Sequence, residues 1–217
     1  MKAILMSCNN CDREYAFETV SKYIKPGMKV VCVPFASELN WQLKDDYDEY
    51  KERHFNVFKK FGVSEDNLDI VKLIDSKDDI IDKLVEADVV FFSGGYMENA
   101  LFIIDYLDLK YVFEYVKEAK IIMGESAGTL IMLDEYMEVP YVEDAYKHYK
   151  KKRGLGYISK FNLIVHYDKN NPKHVENKEK LKEMEKDKLV LCLSDESMLI
   201  IDGDKNHIFI NLHFPLT

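Results

Sequence analysis

The chain has 217 residues, of which 47% are hydrophobic, and it carries a formal net charge of -9 at pH 7. This length and apolar content predict a folded protein with a sizeable core and exclude a disordered one. The negative charge argues against nucleic acid or an anionic membrane as a partner, and the apolar runs are strand-sized, too short to span a bilayer.

The N-terminal apolar run is too short for a signal peptide and instead predicts a buried first strand. Four cysteines do not make a disulfide framework in a chain of this length. Two of them, Cys32 and Cys192, lie inside apolar runs that are typical of buried strands. We therefore expect reduced thiols and a cytoplasmic protein.

Short apolar runs alternate with amphipathic segments along most of the chain, and this alternation defines the predicted elements. The predicted strands cover residues 3–6, 30–33, 68–73, 88–92, 120–123, 161–165, 189–193, 198–201 and 207–212. The predicted helices cover residues 12–24, 37–61, 76–87, 98–107, 111–119, 129–133 and a tract that starts at residue 177. Residues 134–153 show no clear period and are expected to cross the surface as an irregular excursion.

The fold class follows from this order of elements. Continuously apolar strands that alternate with helices form parallel sheets covered on both faces. Short turns between the last segments favour antiparallel pairing near the C-terminus. The sequence therefore predicts an α/β fold: residues 1–217 form a single doubly wound domain with a mostly parallel sheet, helices on both faces and short antiparallel C-terminal strands.

One five-residue motif carries the clearest chemical signal. Gly124-Glu125-Ser126-Ala127-Gly128 lies between two apolar runs and has the pattern G-x-S-x-G, which is typical of a strand, a sharp turn and a helix. Such a turn exposes the serine hydroxyl to a base, and the backbone N–H of Ala127 then lies at a helix N-terminus, where it can stabilise an oxyanion. The alternative is a tight junction with an exposed serine.

A serine nucleophile needs a base, and His166 is the strongest candidate because it directly follows an apolar strand. Gly94 and Gly95 follow another predicted strand, where glycine allows a ligand to approach the backbone and an N–H to serve as a second oxyanion donor. Ligands of such sheets bind beyond the carboxyl ends of the strands. Ser126, His166 and the glycine pair are therefore predicted to meet at one edge of the sheet.

The sequence alone does not identify the acid that would orient His166. Acidic residues between the serine and the histidine include Glu138, Glu143 and Asp144, and those after the histidine include Asp168 and the pair Asp195-Glu196. Most acids of a protein with this charge are simply solvated.

Two nearby cysteines, Cys8 and Cys11, lie between the first strand and the first helix, where a thiol pKa can fall. Without a second cysteine pair they make a poor zinc site, so a structural role is favoured. The sequence predicts no metal and no cofactor.

Several segments together resemble the dipeptidase E and cyanophycinase-like serine peptidases, which share a class I glutamine amidotransferase-like fold. The similar segments are residues 31–37, 91–95, 124–128, 154–156, 166–168 and 193–197, in the family's order and over nearly the whole chain. The resemblance implies Ser126 as the nucleophile and His166 as the base. It implies oxyanion donors from Gly94 or Gly95 and from Ala127.

In the family the acid falls between the serine and the histidine, which favours Glu138, with Asp144 or Glu143 next. The implied function is a cytoplasmic serine exopeptidase-like hydrolase that cleaves small peptides through an acyl-enzyme, with Asp-X dipeptides as one substrate class. The expected partner is a small peptide, without nucleic acid or membrane, and the expected assembly is a monomer or homodimer.

Two alternatives remain open. Tyr96 and Met97 stand where the family often has Asn-Thr, which suggests a catalytically impaired member that binds a small ligand or peptide. An α/β-hydrolase esterase also contains Gly-Glu-Ser-Ala-Gly, but in such enzymes the histidine usually lies near the end of the chain rather than 40 residues after the serine.

Overall fold

The structure, a computed structural model, describes residues 1–37, 47–138, 150–184, 186–203 and 206–210. The strands are β1 Lys2–Met6, β2 Val30–Val33, β3 Leu68–Ile70, β4 Val89–Phe92, β5 Ile121–Glu125, β6 Glu135–Glu138, β7 Lys150–Arg153, β8 Phe161–Ile164, β9 Leu189–Cys192, β10 Met198–Asp202 and β11 Asn206–Ile210. The helices are α1 Glu14–Val20, α2 Asp48–Lys60, α3 Lys77–Glu86, α4 Met97–Tyr106, α5 Lys110–Ala119, α6 Ala127–Leu130 and α7 Pro172–Met184.

Seven strands form a central sheet in the order β11-β10-β1-β5-β4-β2-β3. The five strands from β1 to β3 in this order are parallel, whereas β10 pairs antiparallel with β1 and β11 pairs antiparallel with β10. This arrangement confirms the predicted mostly parallel α/β fold with antiparallel strands at its C-terminal end.

The inner strands are mostly apolar because both faces of the sheet are covered. Along β4, Val90 and Phe92 enter one core cluster, while Val89 and Phe91 enter the other. Buried side chains of α3, α4 and α5 belong to the first cluster, and those of α1 and α2 belong to the second. Successive side chains of a strand point to opposite faces of the sheet, so each strand contributes to both apolar layers.

The predicted excursion over residues 134–153 is wrong at both ends, which pair as the antiparallel ribbon β6–β7. The register places Glu138 opposite Lys150 and Glu135 opposite Arg153, and the opposite charges of Glu135 and Arg153 are favourable across a ladder. The strand β7 is a run of four basic residues, so its sequence shows none of the apolar alternation that identifies a half-buried strand.

The strands β8 and β9 form a separate parallel pair rather than joining the central sheet. Their apolar sequence predicts a strand, but the choice of partner depends on the tertiary packing. The helix α7 connects them and starts at Pro172, earlier than predicted, because proline is favourable in the first helical turn.

Three further boundaries differ from the predictions. The helix α1 is shorter than residues 12–24, and β3 is shorter than residues 68–73. The predicted helix 37–61 is present as α2, while residues 38–46 lie outside the described residues. None of the helices in the described part of the chain has the length and apolar character that a bilayer-spanning segment needs.

Candidate active site

Ser126 occupies a sharp turn between β5 and α6, with φ of 50° and ψ of -113°. Its backbone N–H donates to the Met6 carbonyl at 2.9 Å, which ties the turn to β1. A Cβ on Gly124 would lie 2.7 Å from the Gly128 carbonyl oxygen, and one on Gly128 would lie 2.2 Å from the Phe92 carbonyl oxygen. Both glycines are therefore required by the close packing of the turn.

His166 follows β8 and also has a positive φ, of 54°. Its backbone N–H donates to Ser7 Oγ at 3.0 Å, and that hydroxyl donates to the Leu193 carbonyl at 2.8 Å. These bonds fix the imidazole beside the serine, with His166 Nε2 2.7 Å from Ser126 Oγ. The two residues that the sequence placed at one edge are in hydrogen-bond contact.

A carboxylate lies on the other side of the imidazole. Asp195 Oδ1 is 2.5 Å from His166 Nδ1, and the Asp195 carbonyl accepts a bond from Asn10 Nδ2 at 2.5 Å. Ser126, His166 and Asp195 therefore form a continuous chain of hydrogen bonds.

The other candidate acids stand differently. Of Glu138 only the backbone is described, and it pairs with Lys150 in the β6–β7 ribbon, while Glu143 and Asp144 lie outside the described residues. Asp168 closes a local turn by accepting from the Asn170 N–H at 2.8 Å. One sequence feature could have pointed to Asp195: it comes just after the apolar run that forms β9. In the structure, β9 runs parallel to β8, the strand that precedes His166.

The glycine pair lies beside the serine. A Cβ on Gly94 would lie 3.2 Å from Ser126 Cβ, and Gly95 has φ of 136°. A Cβ on Gly95 would lie 2.1 Å from the Ala36 carbonyl oxygen, so the loop after β4 packs directly against the loop after β2. Ala127 is buried as the first residue of α6.

An open cavity of about 890 Å³ adjoins these groups. Besides Ser126, His166 and the glycine pair, its lining includes Cys8, Glu49, Tyr50, Arg53, His54, Tyr96 and Glu125. The cavity is large enough for a small peptide.

Glu125, the residue before the serine, is nearly fully buried under this cavity. Its Oε1 accepts from Arg53 Nη2 at 2.9 Å, while its Oε2 makes no hydrogen bond of normal geometry. Burial raises the pKa of Glu125, and the Arg53 charge and the backbone N–H groups of Asn9 and Gly94 oppose that rise. The guanidinium is thus held at the cavity wall by a buried carboxylate.

His54 is a packed residue rather than a second base. Its ring contacts those of Tyr50 and Phe91 at centroid distances of 4.4 and 5.1 Å. Burial, followed by the Arg53 charge, lowers the pKa of His54 to about 3. Because the imidazole is then neutral at pH 7, its 3.7 Å approach to Glu125 is not a salt bridge.

All four cysteines are free thiols. Cys11 is buried and donates to Asn9 Oδ1 at 3.3 Å, in keeping with a structural role. Cys8 faces the cavity, and partial burial together with the Asp195 charge raises the pKa of its thiol to about 11.

The chain matches a known peptidase family over nearly its whole length. The model of peptidase family S51 matches residues 3–209. A crystal structure from Listeria monocytogenes EGD-e, described as a candidate peptidase E protein, is 20% identical and superposes with a TM-score of 0.67, covering 97% of this chain and 98% of that one. A peptidase from an acI-B1 Actinobacterium is 14% identical with a TM-score of 0.70, covering 96% and 86% of the two chains.

No curated protein shows significant sequence similarity to this chain. The two solved structures establish the fold alone at these identities. The family match, by contrast, covers nearly the whole sequence, including the Ser126 motif and the segments that hold His166 and Asp195. The chain therefore belongs to peptidase family S51 and is a serine peptidase.

Proposed function

We propose that the protein hydrolyses small peptides through an acyl-enzyme, with Ser126 as nucleophile, His166 as general base and Asp195 as the orienting acid. The observation that carries this proposal is the unbroken contact from Ser126 Oγ to His166 Nε2 at 2.7 Å and from His166 Nδ1 to Asp195 Oδ1 at 2.5 Å. A base must lie within this reach of the proton that it removes.

The steps follow from these contacts. His166 Nε2 takes the Ser126 hydroxyl proton as the oxygen attacks the peptide carbonyl, and Asp195 stabilises the imidazolium through Nδ1–H. His166 then returns the proton to the leaving amine, which leaves an ester on Ser126. Water, activated by the same imidazole, hydrolyses the ester.

We propose Gly95 and Ala127 as the oxyanion donors, from what each neighbouring backbone N–H already contacts. The Gly94 N–H interacts with the buried Glu125 carboxylate, which favours the Gly95 N–H as one donor. The Ala127 N–H, next to the nucleophile and at the start of α6, is the natural second donor.

We further propose that the substrate carries an acidic N-terminal residue, as in Asp-X dipeptides. Such a preference needs a cation in the cavity, and Arg53 lines the cavity with 68% of its side chain exposed. A guanidinium has five N–H donors in a fixed planar fork, so the bond to Glu125 Oε1 leaves others for a substrate carboxylate. Glu125 would hold the fork in one orientation.

The test combines a covalent probe with a substrate panel. A fluorophosphonate probe should label the wild type and Ser159→Ala, a control at an exposed serine, but not Ser126→Ala. The wild type should cleave Asp-X dipeptides in preference to simple esters, and His166→Ala should abolish turnover. Absence of both labelling and turnover in the wild type at neutral pH would refute the proposal, and ester turnover alone would favour an esterase.

A further inference from the structure

A metal-binding group of side chains overlaps the proposed site. We propose that Cys8, His166 and Asp195 bind a zinc ion, and that this ion switches the peptidase off. The sequence gives no hint of such a site, because the three residues lie in separate loops after β1, β8 and β9.

The three ligand atoms are already close. A sulfur of Cys8, a ring nitrogen of His166 and a carboxylate oxygen of Asp195 lie within 4.8 Å of one another. In a tetrahedral zinc site, bonds of 2.0 to 2.3 Å place neighbouring ligand atoms about 3.3 to 3.8 Å apart. Side-chain rotations that move the ligand atoms by about 1 Å therefore suffice to bring all three within bonding distance of an ion.

The surroundings hold these residues in place and leave them open to solvent. His166 is fixed through Ser7, which follows β1, and Asp195 is fixed by Asn10, in the same loop as Cys8. His166 and Asp195 expose 38% and 61% of their side chains, and Cys8 lines the open cavity. An ion can thus arrive from solvent without unfolding any element.

The donor set favours zinc over magnesium and calcium. A thiolate, an imidazole and a carboxylate are all ligands of zinc, whereas magnesium and calcium require oxygen ligands almost exclusively. Three protein ligands leave the fourth position for water. The described residues outside this cluster include no second group of three such ligands at comparable distances.

The effect on the reaction follows from the tautomer of His166, and this part rests on the proposed function. His166 Nε2 faces Ser126 Oγ, so the ring nitrogen offered to the ion is Nδ1, which now contacts Asp195. Zinc uses the lone pair of Nδ1, so the single ring proton of the neutral imidazole moves by way of solvent from Nδ1 to Nε2, while the Cys8 thiol loses its proton to solvent. Nε2 then becomes a donor and cannot accept the Ser126 proton.

Metal binding is tested on the full chain without reference to activity. Competition with a chromogenic chelator should show one zinc ion per wild-type chain. Cobalt bound in its place should show the charge-transfer absorption of a thiolate ligand. Cys8→Ser should lose that absorption and bind zinc at least roughly 10- to 100-fold more weakly, which is the loss that even a residue behind a metal ligand causes, and Asp195→Asn should also bind more weakly. Cys192→Ser, at a free thiol outside the cluster, should match the wild type.

Circular dichroism establishes that each variant is folded, and Asp195→Asn serves as the second test if Cys8→Ser is not. Equal zinc affinity in Cys8→Ser and the wild type, or a thiolate band that disappears in Cys192→Ser instead, would overturn the site.

Inhibition is measured as the ratio of turnover with and without zinc for each variant. Zinc should inhibit the wild type over the range in which it binds, a chelator should restore the rate, and Cys8→Ser should need roughly 10- to 100-fold more zinc. An active enzyme that binds zinc without losing rate would refute the inhibitory role. A chain that binds zinc but cleaves no peptide would refute the proposed function while the metal site stands.

Discussion

At the scale of single residues, the proposed nucleophile and base share an unusual backbone. Ser126 and His166 both have positive φ without being glycine, which costs about 1 to 3 kcal/mol each. Each is held by a bond to the loop that begins at the end of β1: Ser126 N–H to the Met6 carbonyl and His166 N–H to Ser7 Oγ. Both residues are therefore anchored by backbone bonds to the same loop.

The identity of the acid gives the first prediction. Asp195→Asn should lower kcat by roughly 100- to 10,000-fold, because an amide can no longer stabilise the imidazolium and favours the wrong tautomer. Glu138→Gln is the matched control and should leave kcat close to that of the wild type. The comparison is made on Asp-X dipeptides, and the reverse order of effects would assign the role to Glu138.

The second prediction concerns Arg53. Arg53→Gln should lower kcat/KM for an Asp-X dipeptide by roughly 10- to 200-fold, since loss of a charged hydrogen bond costs about 1.5 to 3 kcal/mol, while an Asn-X analogue should lose much less. Arg13→Gln changes the net charge equally at an exposed position and should alter neither rate. Equal losses for both substrates would show that Arg53 supports the fold of the cavity rather than specificity.

At the scale of elements, the turn from β5 to α6 is packed against the end of β4. The helix α6 has only four residues, and its Gly128 meets the Phe92 backbone at a distance that no side chain permits. The loop after β4 likewise meets the loop after β2 at Gly95 and Ala36. Neighbouring strands thereby bring their loops into direct backbone contact around Ser126.

Gly128→Ala is therefore expected to lower the free energy of unfolding by about 3 kcal/mol or more, because the clash is with backbone that cannot rotate away. Gly27→Ala is a suitable control: a Cβ there meets nothing within 4 Å, so only its positive φ of 84° is unfavourable, at about 1 kcal/mol. Urea unfolding of both variants measures the difference. Similar losses for the two would contradict the close packing of the turn.

At the scale of the whole molecule, the parallel sheet collects the loops after β1, β2, β4 and β5 at one edge. The separate pair β8–β9 adds His166 and Asp195, each just after one of its two parallel strands. Similar folds at 14% and 20% identity show that this topology tolerates extensive change in sequence.

Global stability should depend on pH through His54, which lies on α2 and is buried in its neutral form against the sheet. Its pKa is about 3 in the folded protein, against an ordinary value of 6.5, so below pH 6.5 the unfolded chain binds a proton that the folded one does not. The contribution of neutral His54 to the free energy of unfolding is therefore complete above pH 6.5. It is lost as pH falls toward 3, and the loss is on the order of a few kcal/mol.

Denaturant unfolding between pH 7.5 and 4 measures this loss. His54→Gln should be less stable at pH 7.5 but should lose less stability on acidification than the wild type. His174→Gln should keep the wild-type dependence, and a His54→Gln curve parallel to that of the wild type would rule out this linkage.

The sequence by itself determined the class of fold, and it predicted the nucleophile and the base that we propose. The evidence for these predictions is local: apolar runs of strand length, the glycines around Ser126 and the position of His166 after a strand. Local patterns are kept in the folded chain because they depend only on neighbouring residues. The sequence did not predict the ribbon β6–β7 or the partner strand of β8, because strand pairing depends on long-range packing that no short stretch of sequence contains.

Only the tertiary structure brought Asp195 to His166. The sequence offered several acids on both sides of the histidine, and the family resemblance favoured Glu138. The choice depends on β8 and β9 running parallel, which brings the loops after both strands to the same end. Folding also brings Cys8 close to both residues and places Arg53 in the same cavity, because residues distant along the chain become neighbours only when the sheet has formed.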